Sequence, residues 1–407
     1  MHTMHSPAMF ATLGRTLVGD EALSKRGILT IRHPIEGSLV TNWDHMESLW
    51  HHIFLDELRC APEAHALLLT EPLLHPKESR EKMVRLMFET FHVPALCVAS
   101  SPALALRASG RATGVVLDLG SVGHHAVPVH EGCVLAHAIP RPCGVDGRGL
   151  TDHMQTLLLE RGYAFTTAYE RVQLEQITET LTFVAVDYDA AMAASATVAG
   201  EAQFKAQYEL PDGQIVTLFT ERFRCAEALF QPILAGRPEG SGLHQMVFDA
   251  VSRCDASLHA ELLGNVVLTG GAGAMPGLAE RLRREVSALA AADAERLGGV
   301  APHVHVSAPP SGATRAAAGS STAALSTPPA DPNPFYDALE LPLPEGVQGI
   351  TAYVESHAKA IQRAVACEHS AWLGGSRLAS EAASPQRWLT AQEYEAHGPA
   401  SVHAKCW

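Results

Sequence analysis

The sequence predicts an α/β protein with two domains, and three observations lead to that prediction. Short apolar runs that end in glycine-containing turns are interspersed with stretches in which apolar residues recur at helical spacing. The chain has 407 residues, which is enough for two domains with sizeable cores. The stretch 113–128 combines a buried strand, an acidic residue, a glycine turn and a second apolar run.

The first part of the chain contains two amphipathic helices, predicted over 40–57 and 78–90. Their apolar residues at helical spacing are Met46, Leu49, Trp50 and Ile53 in the first and Met83, Leu86, Met87 and Phe91 in the second. Asn42 or Asp44 can cap the first helix. Apolar runs predict buried strands over 66–69 and 93–98, and a third helix is expected over 102–108.

The stretch 113–128 is the most informative part of the sequence. Asp118 stands at the end of a predicted strand, and Gly120 and Gly123 form the turn that follows. Glycine lets backbone N–H groups approach a phosphate, and an aspartate can hold a metal-bound water. Many ordinary β-hairpins share the pattern, so on its own it indicates a hairpin and only suggests a phosphate site.

Downstream of the hairpin, the same rules predict, in order, a helix over 149–161, a helix over 168–183, a further segment over 184–192, a loop over 193–207, a hairpin over 208–222, a helix over 244–254, a strand over 265–268 and a helix over 276–291. Pro211-Asp212-Gly213 is a strong turn signal for the second hairpin. The Gly-Gly turn at 270–271 places free N–H groups where a nucleotide can sit.

Composition excludes several classes of protein. A formal net charge of -14 argues against a nucleic-acid surface as the main function. The chain has no run of eighteen apolar residues, so no transmembrane helix is expected, and its first residues do not resemble a secretory signal. The eight cysteines form no CxxC pair, which favours free thiols in a reducing compartment. Adjacent histidine pairs lack i,i+4 ligand spacing, so no structural metal is expected.

Many short segments resemble actin. They lie at 19–30, 34–36, 40–44, 81–83, 89–91, 108–110, 147–148, 150–152, 208–214, 221–225, 228–232, 374–376, 392–394 and 405–406, with Trp372 in addition. The resemblance covers about residues 5–310 and 368–407. It implies an actin-like two-lobed fold of the actin–hexokinase–chaperone ATPase type, with a hinge and a central cleft.

The resemblance also divides the chain into blocks. It assigns 1–33 to a remnant of actin subdomain 2, 34–108 with 368–407 to subdomain 1, 109–146 with 236–310 to subdomain 3, and 147–235 to subdomain 4. Residues 311–367 are left as an insertion. Its first part, 311–334, is rich in small residues and almost uncharged, which predicts disorder, and helical spacing predicts a helix over 346–367. The insertion is either a partner-binding element or a tolerated surface loop.

At the start of the chain, 5–14 resembles the actin loop that docks one subunit onto the next, with Met9 at its apolar tip; a frayed terminus is the alternative. In that register the first phosphate hairpin of actin would precede residue 1. Either the first sheet lacks this hairpin or the start codon is mis-assigned. A sheet without central strands exposes unpaired edges, so the second explanation carries weight.

The resemblance implies a set of nucleotide-site residues. It places Asp118 on the metal side, where a water would link it to Mg²⁺ or Ca²⁺, and His125 beside the attacking water. Nucleotide-binding positions in addition to Asp118 are Gly120, Gly147, Glu179, Gly270 and Gly271, with Glu179 at the ribose.

Other positions of that site depart from actin. Leu119, Ser121 and Val122 replace Ser, Asp and Gly in the phosphate turn; Ser101 replaces the water-positioning Gln; Thr178 and Glu368 replace two Lys; Met275 replaces a stacking Tyr; and Gly37 replaces a modified His. These changes remove charge-assisted phosphate contacts, on which phosphoryl transfer depends. We expect weak or no binding of ATP or ADP with Mg²⁺ or Ca²⁺, and no meaningful ATPase activity.

The leading functional hypothesis is therefore a non-catalytic actin-like structural or scaffold protein, a subunit of a larger assembly with actin-like or cytoskeletal partners. Arg377, Glu381 and Arg387 replace apolar residues of the groove that binds actin-binding helices, so ordinary partners should fit poorly. One alternative is an orthodox ATP-binding, polymerising actin with a mis-assigned start. Another is an active ATPase or sugar kinase of the same superfamily. The expected location is the cytoplasm and cytoskeleton, with the nucleus as a further possibility.

Overall fold

The computed structural model describes residues 3–4, 17–25, 30–36, 39–73, 75–121, 123–142, 144–297, 299–307, 370–380 and 388–405. These residues fall into two compact units. The first unit contains those up to 101 and from 375 onwards, and the second contains 102–307 and 370–374. The predictions made for 5–14, Gly37, Val122, 311–367, Glu368, Glu381 and Arg387 lie outside the described residues.

The described residues of the first stretch of the chain form short strands and α-helices. The strands are β1 (Thr3–Met4), β2 (Leu17–Val18), β3 (Ile31–Arg32), β4 (Ile35–Glu36), β5 (Leu39–Val40), β6 (Leu67–Glu71) and β7 (Ala95–Ser100). The helices are α1 (Gly19–Ser24), α2 (Trp43–His52), α3 (Lys77–Glu89) and α4 (Ser101–Ala108). Strands β2, β1 and β3 form one antiparallel sheet, and β4 pairs with β5.

The middle of the chain supplies strands β8 (Gly114–Leu119), β9 (His124–His130), β10 (Cys133–Val134), β11 (Ala206–Glu209), β12 (Ile215–Leu218), β13 (Val266–Thr269) and β14 (Val306–Ser307). Its helices are α5 (Gly147–Glu160), α6 (Ala168–Leu181), α7 (Tyr188–Ser195), α8 (Val198–Phe204), α9 (Glu221–Glu227), α10 (Leu243–Ser252), α11 (His259–Leu263) and α12 (Leu278–Leu297).

The C-terminal stretch adds α13 (Ser370–Ser380), β15 (Leu389–Thr390), α14 (Ala391–His397) and α15 (Val402–Lys405). Besides these elements, the described residues include a π-helix at Ile53–Glu57 and 3-10 helices at Pro62–Ala64, Ala136–Ala138, Pro232–Ala235, Ala256–Leu258, Gly271–Ala274 and Pro399–Ser401. In the part of the chain that the structure describes, no helix has both the length and the apolar character that a membrane span needs.

In the first unit, β6 and β7 run parallel and β15 completes a three-stranded sheet on the other side of β7. Helix α2 begins after Asn42, whose side chain accepts a hydrogen bond from the His45 amide at 2.9 Å, so the predicted cap is confirmed. Its apolar face packs on that of α3 through a cluster that includes Leu49, Trp50 and Met87. The α-helical part ends at His52, short of the predicted 57, because the next turn is a π-helix.

The second unit is built around a five-stranded sheet in the order β10-β9-β8-β13-β14. Strands β8 and β9 form the predicted antiparallel hairpin, and β13 lies parallel to β8 on its other edge. Val115, Leu117 and Leu119 of β8 are fully buried in one core with residues of β13, α5 and α10. This arrangement brings the C-terminal ends of β8 and β13 side by side, where the turns that follow them meet.

One element of the prediction is wrong. The stretch 193–207 is not a loop, since it contains α8, and β11 already begins at Ala206. Small residues give α8 little apolar periodicity, although the Thr197 hydroxyl caps it by accepting from the Gly200 amide at 3.1 Å. Likewise α12 continues to Leu297 beyond the predicted 291, because its last residues are good helix formers without an apolar stripe.

The predicted hairpin around Pro211–Gly213 is confirmed as β11 and β12. Gly213 takes a positive φ of 84°, and its amide donates to the Leu210 carbonyl at 2.8 Å. The hairpin ends at Leu218 instead of 222, because Glu221 begins helix α9. Aspartate side chains cap α5 and α7 of this unit, Asp146 at α5 and Asp187 at α7.

Candidate functional site

The candidate site lies at the end of the β8–β9 hairpin, within the second unit. The register places Asp118 directly opposite His125 on β9 and beside Thr269 on β13. Cross-strand partners point to the same face of a sheet, so the carboxylate and the imidazole share one side of the hairpin. The Thr269 hydroxyl is hydrogen-bonded to the hydroxyl of Ser370, at the first residue of α13.

Both titratable groups at this end of the hairpin are partly buried. Burial raises the pKa of the Asp118 carboxyl and lowers the pKa of the His125 imidazole. Each shift disfavours the charged form of the group. A divalent cation beside Asp118 would offset the cost of burying its charge, so this carboxylate suits the metal-side role that the sequence predicts.

The turn after β13 lies against the turn after β8. Gly270 has a φ of +83°, and a Cβ at this position would come within 2.5 Å of the Leu119 carbonyl carbon and oxygen. Only glycine allows both the backbone angle and the approach. The two turns are therefore in direct backbone contact, and the 3-10 helix Gly271–Ala274 starts from that contact.

Helix α5 is docked end-on against the hairpin turn. The amide of Gly147 donates to the Gly120 carbonyl at 3.3 Å, and the amide of Arg148 donates to the Ser121 carbonyl at 3.2 Å. The third amide, of Gly149, donates to the Asp146 carboxylate at 2.8 Å. The first N–H groups of a helix have no partner within the helix, and here the chain itself supplies an acceptor for each of these three.

The hairpin also donates back to the helix cap. The Gly123 amide donates to the second Asp146 carboxylate oxygen at 3.2 Å. Gly123 has a φ of +85°, and a Cβ there would lie 2.9 Å from the His125 Nε2. The imidazole of His125 thus covers the turn, and the Asp146 carboxylate joins the turn to α5.

His124 is the buried counterpart of His125. Its side chain is fully buried, and its imidazole interacts with the Gly120 backbone. Burial lowers its pKa to about 4, although the nearby Asp146 carboxylate acts in the opposite direction. The imidazole therefore stays neutral at physiological pH.

The lowered pKa of His124 leads us to expect that the free energy of unfolding decreases in acid. Because the folded pKa is depressed from 6.5 to about 4, the unfolded chain takes up the proton first, and stability is lost as pH falls between those values. His124 should account for about 2 kcal/mol of unfolding free energy between pH 7 and pH 5. Urea unfolding of the wild type and His124→Leu at both pH values measures it, with exposed His51→Gln as control. An equal pH dependence in wild type and His124→Leu would contradict the prediction.

The structure brings together five of the residues predicted for the nucleotide site: Asp118, Gly120, His125, Gly147 and Gly270. Gly271 follows them as the first residue of the 3-10 helix. Glu179 lies near the end of α6 with an exposed side chain, and the bonds between the hairpin and α5 do not involve it.

The substituted positions that the structure describes lie in different surroundings. Leu119 points into the core with no exposure, whereas Ser121 is exposed at the turn. Thr178 is buried, and its hydroxyl donates to the Leu174 carbonyl of its own helix at 2.8 Å. Met275 packs against the core of the second unit. In the first unit, Ser101 is the first residue of α4.

Sequence reasoning missed the roles of Asp146 and His124, and it placed Gly123 in the turn without its bond to Asp146. A signal for Asp146 was present, since aspartate followed by a helical stretch is an N-cap pattern, but the helix was predicted to begin at Gly149. No local signal shows that the second carboxylate oxygen reaches Gly123, because the two residues are 23 positions apart. The complete burial of His124 follows from packing alone.

The residues fit a metal-bound nucleoside triphosphate only in part. The half-buried Asp118 carboxylate suits a hydrated divalent cation. A phosphate would need free amides at the turn and the helix N-terminus, and those of Gly123, Gly147, Arg148 and Gly149 already donate to oxygens of the chain. These four amides are therefore not available to a phosphate unless their present bonds break.

One comparison with known proteins bears on this fold. The family model described as Actin matches residues 2–326 and 345–407, which is most of the chain. The matched residues include the hairpin, α5 and the Gly270 turn.

Proposed function

The chain belongs to the actin family, and from that premise we propose that it is a non-catalytic structural or scaffold subunit of a larger cytoskeletal assembly. Its partners would be actin-like or cytoskeletal proteins, and its location the cytoplasm and cytoskeleton. ATP or ADP with Mg²⁺ or Ca²⁺ would bind weakly or not at all. In this proposal the surface of the actin-like fold binds the partner proteins, and the nucleotide site is degenerate.

The main support for the proposal is that amides in a position to bind a phosphate are hydrogen-bonded to oxygens of the chain itself. Three first-turn amides of α5 and the Gly123 amide donate to carbonyl or carboxylate oxygens of this chain. A triphosphate would have to break these bonds before it could make its own. Phosphoryl transfer is catalysed by positioning and electrostatic stabilisation, so the loss of these four donors to bonds within the chain would reduce catalytic power.

The proposal predicts that the purified protein binds Mg-ATP with a Kd above about 1 µM, equivalent to a binding free energy weaker than about -8.2 kcal/mol. Calorimetric titration with Mg-ATP measures the affinity, and a phosphate-release assay measures turnover. His125→Ala serves as the comparison, because it removes the ring that would order an attacking water. Submicromolar affinity, or turnover that disappears in His125→Ala, would show that the site is intact.

A second candidate is an ATP-binding, polymerising actin. The juxtaposition of Asp118, His125 and Gly270 favours it, since these residues keep the metal side of the site together. Sedimentation of the protein with and without Mg-ATP separates the two candidates. Nucleotide-dependent pelleting supports the polymerising actin, whereas the structural subunit we propose should sediment equally in both conditions.

A further inference from the structure

The carboxylate of Asp146 occupies an unusual position for a helix cap. One oxygen accepts from the Gly149 amide in the first turn of α5, at 2.8 Å. The other accepts from the Gly123 amide in the hairpin turn, at 3.2 Å. A single side chain therefore presents both of its anionic oxygens to backbone donors, on two segments that are distant in the sequence.

A second aspartate cap in the same unit shows the ordinary arrangement. Asp187 accepts from the Ala190 amide at 3.0 Å, and its other oxygen lies 3.4 Å from the exposed guanidinium of Arg284. Its carboxylate serves one helix and otherwise faces a side chain at the surface. The contact between Asp146 and the hairpin is thus additional to what an N-cap requires.

Amides at a helix N-terminus and in a glycine turn form the usual receptor for a phosphate group, because their N–H dipoles point at anionic oxygens. A carboxylate offers the same kind of acceptor. We propose that the Asp146 carboxylate acts as a built-in anion, which takes the place of a phosphate between the hairpin turn and α5 and closes the site to phosphate ligands. This inference rests on the proposed function, in which the site does not turn over nucleotide.

Displacing Asp146 would be unfavourable for two reasons. The incoming phosphate would break both hydrogen bonds of the carboxylate, and it would then lie close to a group of the same charge. The neighbouring side chain His124 gives no compensation, because its buried imidazole is neutral. The site should therefore bind phosphate only when the carboxylate is removed.

The test replaces Asp146 with serine, which can still cap α5 at Gly149 but has neither a charge nor a second oxygen to reach Gly123. Asp187→Ser is the matched control, since it makes the same change at the cap of α7. The probes are inorganic phosphate and Mg-ATP, titrated calorimetrically and by NMR of ¹⁵N-glycine-labelled protein. Asp146→Ser should bind phosphate at least about tenfold more tightly than wild type, equivalent to about 1.4 kcal/mol, with shifts at the Gly123 and Gly149 amides.

Asp187→Ser should bind phosphate and Mg-ATP with the same affinity as the wild type. A folded Asp146→Ser protein without that gain would overturn the inference. If the serine variant fails to fold, Asp146→Asn, which keeps a capping oxygen without the charge, is judged by the same criterion.

If neither variant folds, the bond between the Gly123 amide and the Asp146 carboxylate can still be tested on the wild type. The Gly123 amide should exchange its hydrogen at least about tenfold more slowly than an unstructured glycine, because it is bonded to the carboxylate. Exchange at the unstructured rate would overturn the inference.

The outcomes also separate this inference from the proposed function. Submicromolar binding of Mg-ATP to the wild type would refute the proposed function. If neither the wild type nor folded Asp146→Ser binds phosphate or Mg-ATP detectably, only the role of Asp146 is refuted.

Discussion

Replacing Arg281 with methionine is expected to lower the free energy of unfolding by about 3–5 kcal/mol. Arg281 on α12 is 8% exposed and forms an ion pair with Glu227 on α9, which is 1% exposed. The same guanidinium donates to the Ala185 carbonyl at 2.9 Å and lies over the Phe230 ring, 4.9 Å from its centroid. Its loss would leave the Glu227 carboxylate buried without its cation.

The control for this variant is Arg284→Met, three residues further along α12. Arg284 pairs with Asp187 at 3.4 Å, but both side chains are about half exposed. Exposed ion pairs contribute about 0–1 kcal/mol, so this variant should unfold almost as the wild type does. Urea denaturation followed by circular dichroism measures both. Equal midpoints for the two variants would contradict a structural role for the Glu227–Arg281 pair.

A double variant tests whether the unpaired Glu227 carboxylate causes the loss of stability in Arg281→Met. Burial raises the pKa of the Glu227 carboxyl even though Arg281 opposes the shift, so the carboxylate pays a desolvation cost in the folded protein. Glu227→Gln combined with Arg281→Met removes both charges. It should recover part of the stability lost in the single variant, because no unpaired charge remains in the core.

Replacing Gly270 with alanine is expected to cost about 2–5 kcal/mol, the second large effect. The positive φ of 83° alone strains any L-residue, and the new Cβ would also meet the Leu119 backbone at 2.5 Å. The hairpin would have to move away from the turn after β13. We expect the Asp118–Thr269 pairing to loosen, which hydrogen exchange at β8 would detect.

Gly213→Ala is the matched control for Gly270→Ala. Gly213 has nearly the same φ, 84°, but no atom lies within 4 Å of a Cβ built there. This variant should cost about 1–2 kcal/mol, from backbone strain alone. The difference between the two variants then measures the contact between the turns together with the added strain at Gly270, whose ψ of 164° lies in a region that essentially only glycine adopts. Equal costs would mean that Leu119 and Gly270 do not constrain one another.

Local patterns predicted the elements of the second unit well. The strand, acidic residue and glycine turn of β8 and β9 are encoded within one short stretch, as are the Pro211–Gly213 turn and the apolar stripe of α10. Helix α8 was missed because small residues carry little periodicity, although its Thr197 cap is a local signal.

The site was only partly predictable. Asp118, Gly120 and Gly270 follow from the ends of strands, where turns demand special residues. The contacts that decide what the site can bind are different, because Asp146 reaches Gly123 only once α5 is docked on the hairpin. Such a contact depends on the register of packing between elements, which no window of sequence contains.

The order of strands in the central sheet has a consequence for synthesis of the chain on the ribosome. The β8–β9 hairpin is complete once His130 has emerged, but the other edge of β8 pairs with β13, which begins at Val266. At roughly 5–20 residues per second, translation of the intervening segment takes on the order of ten seconds. During that interval Val115 and Leu117 belong to an apolar strand with one open edge, which is exposed to association with other nascent chains.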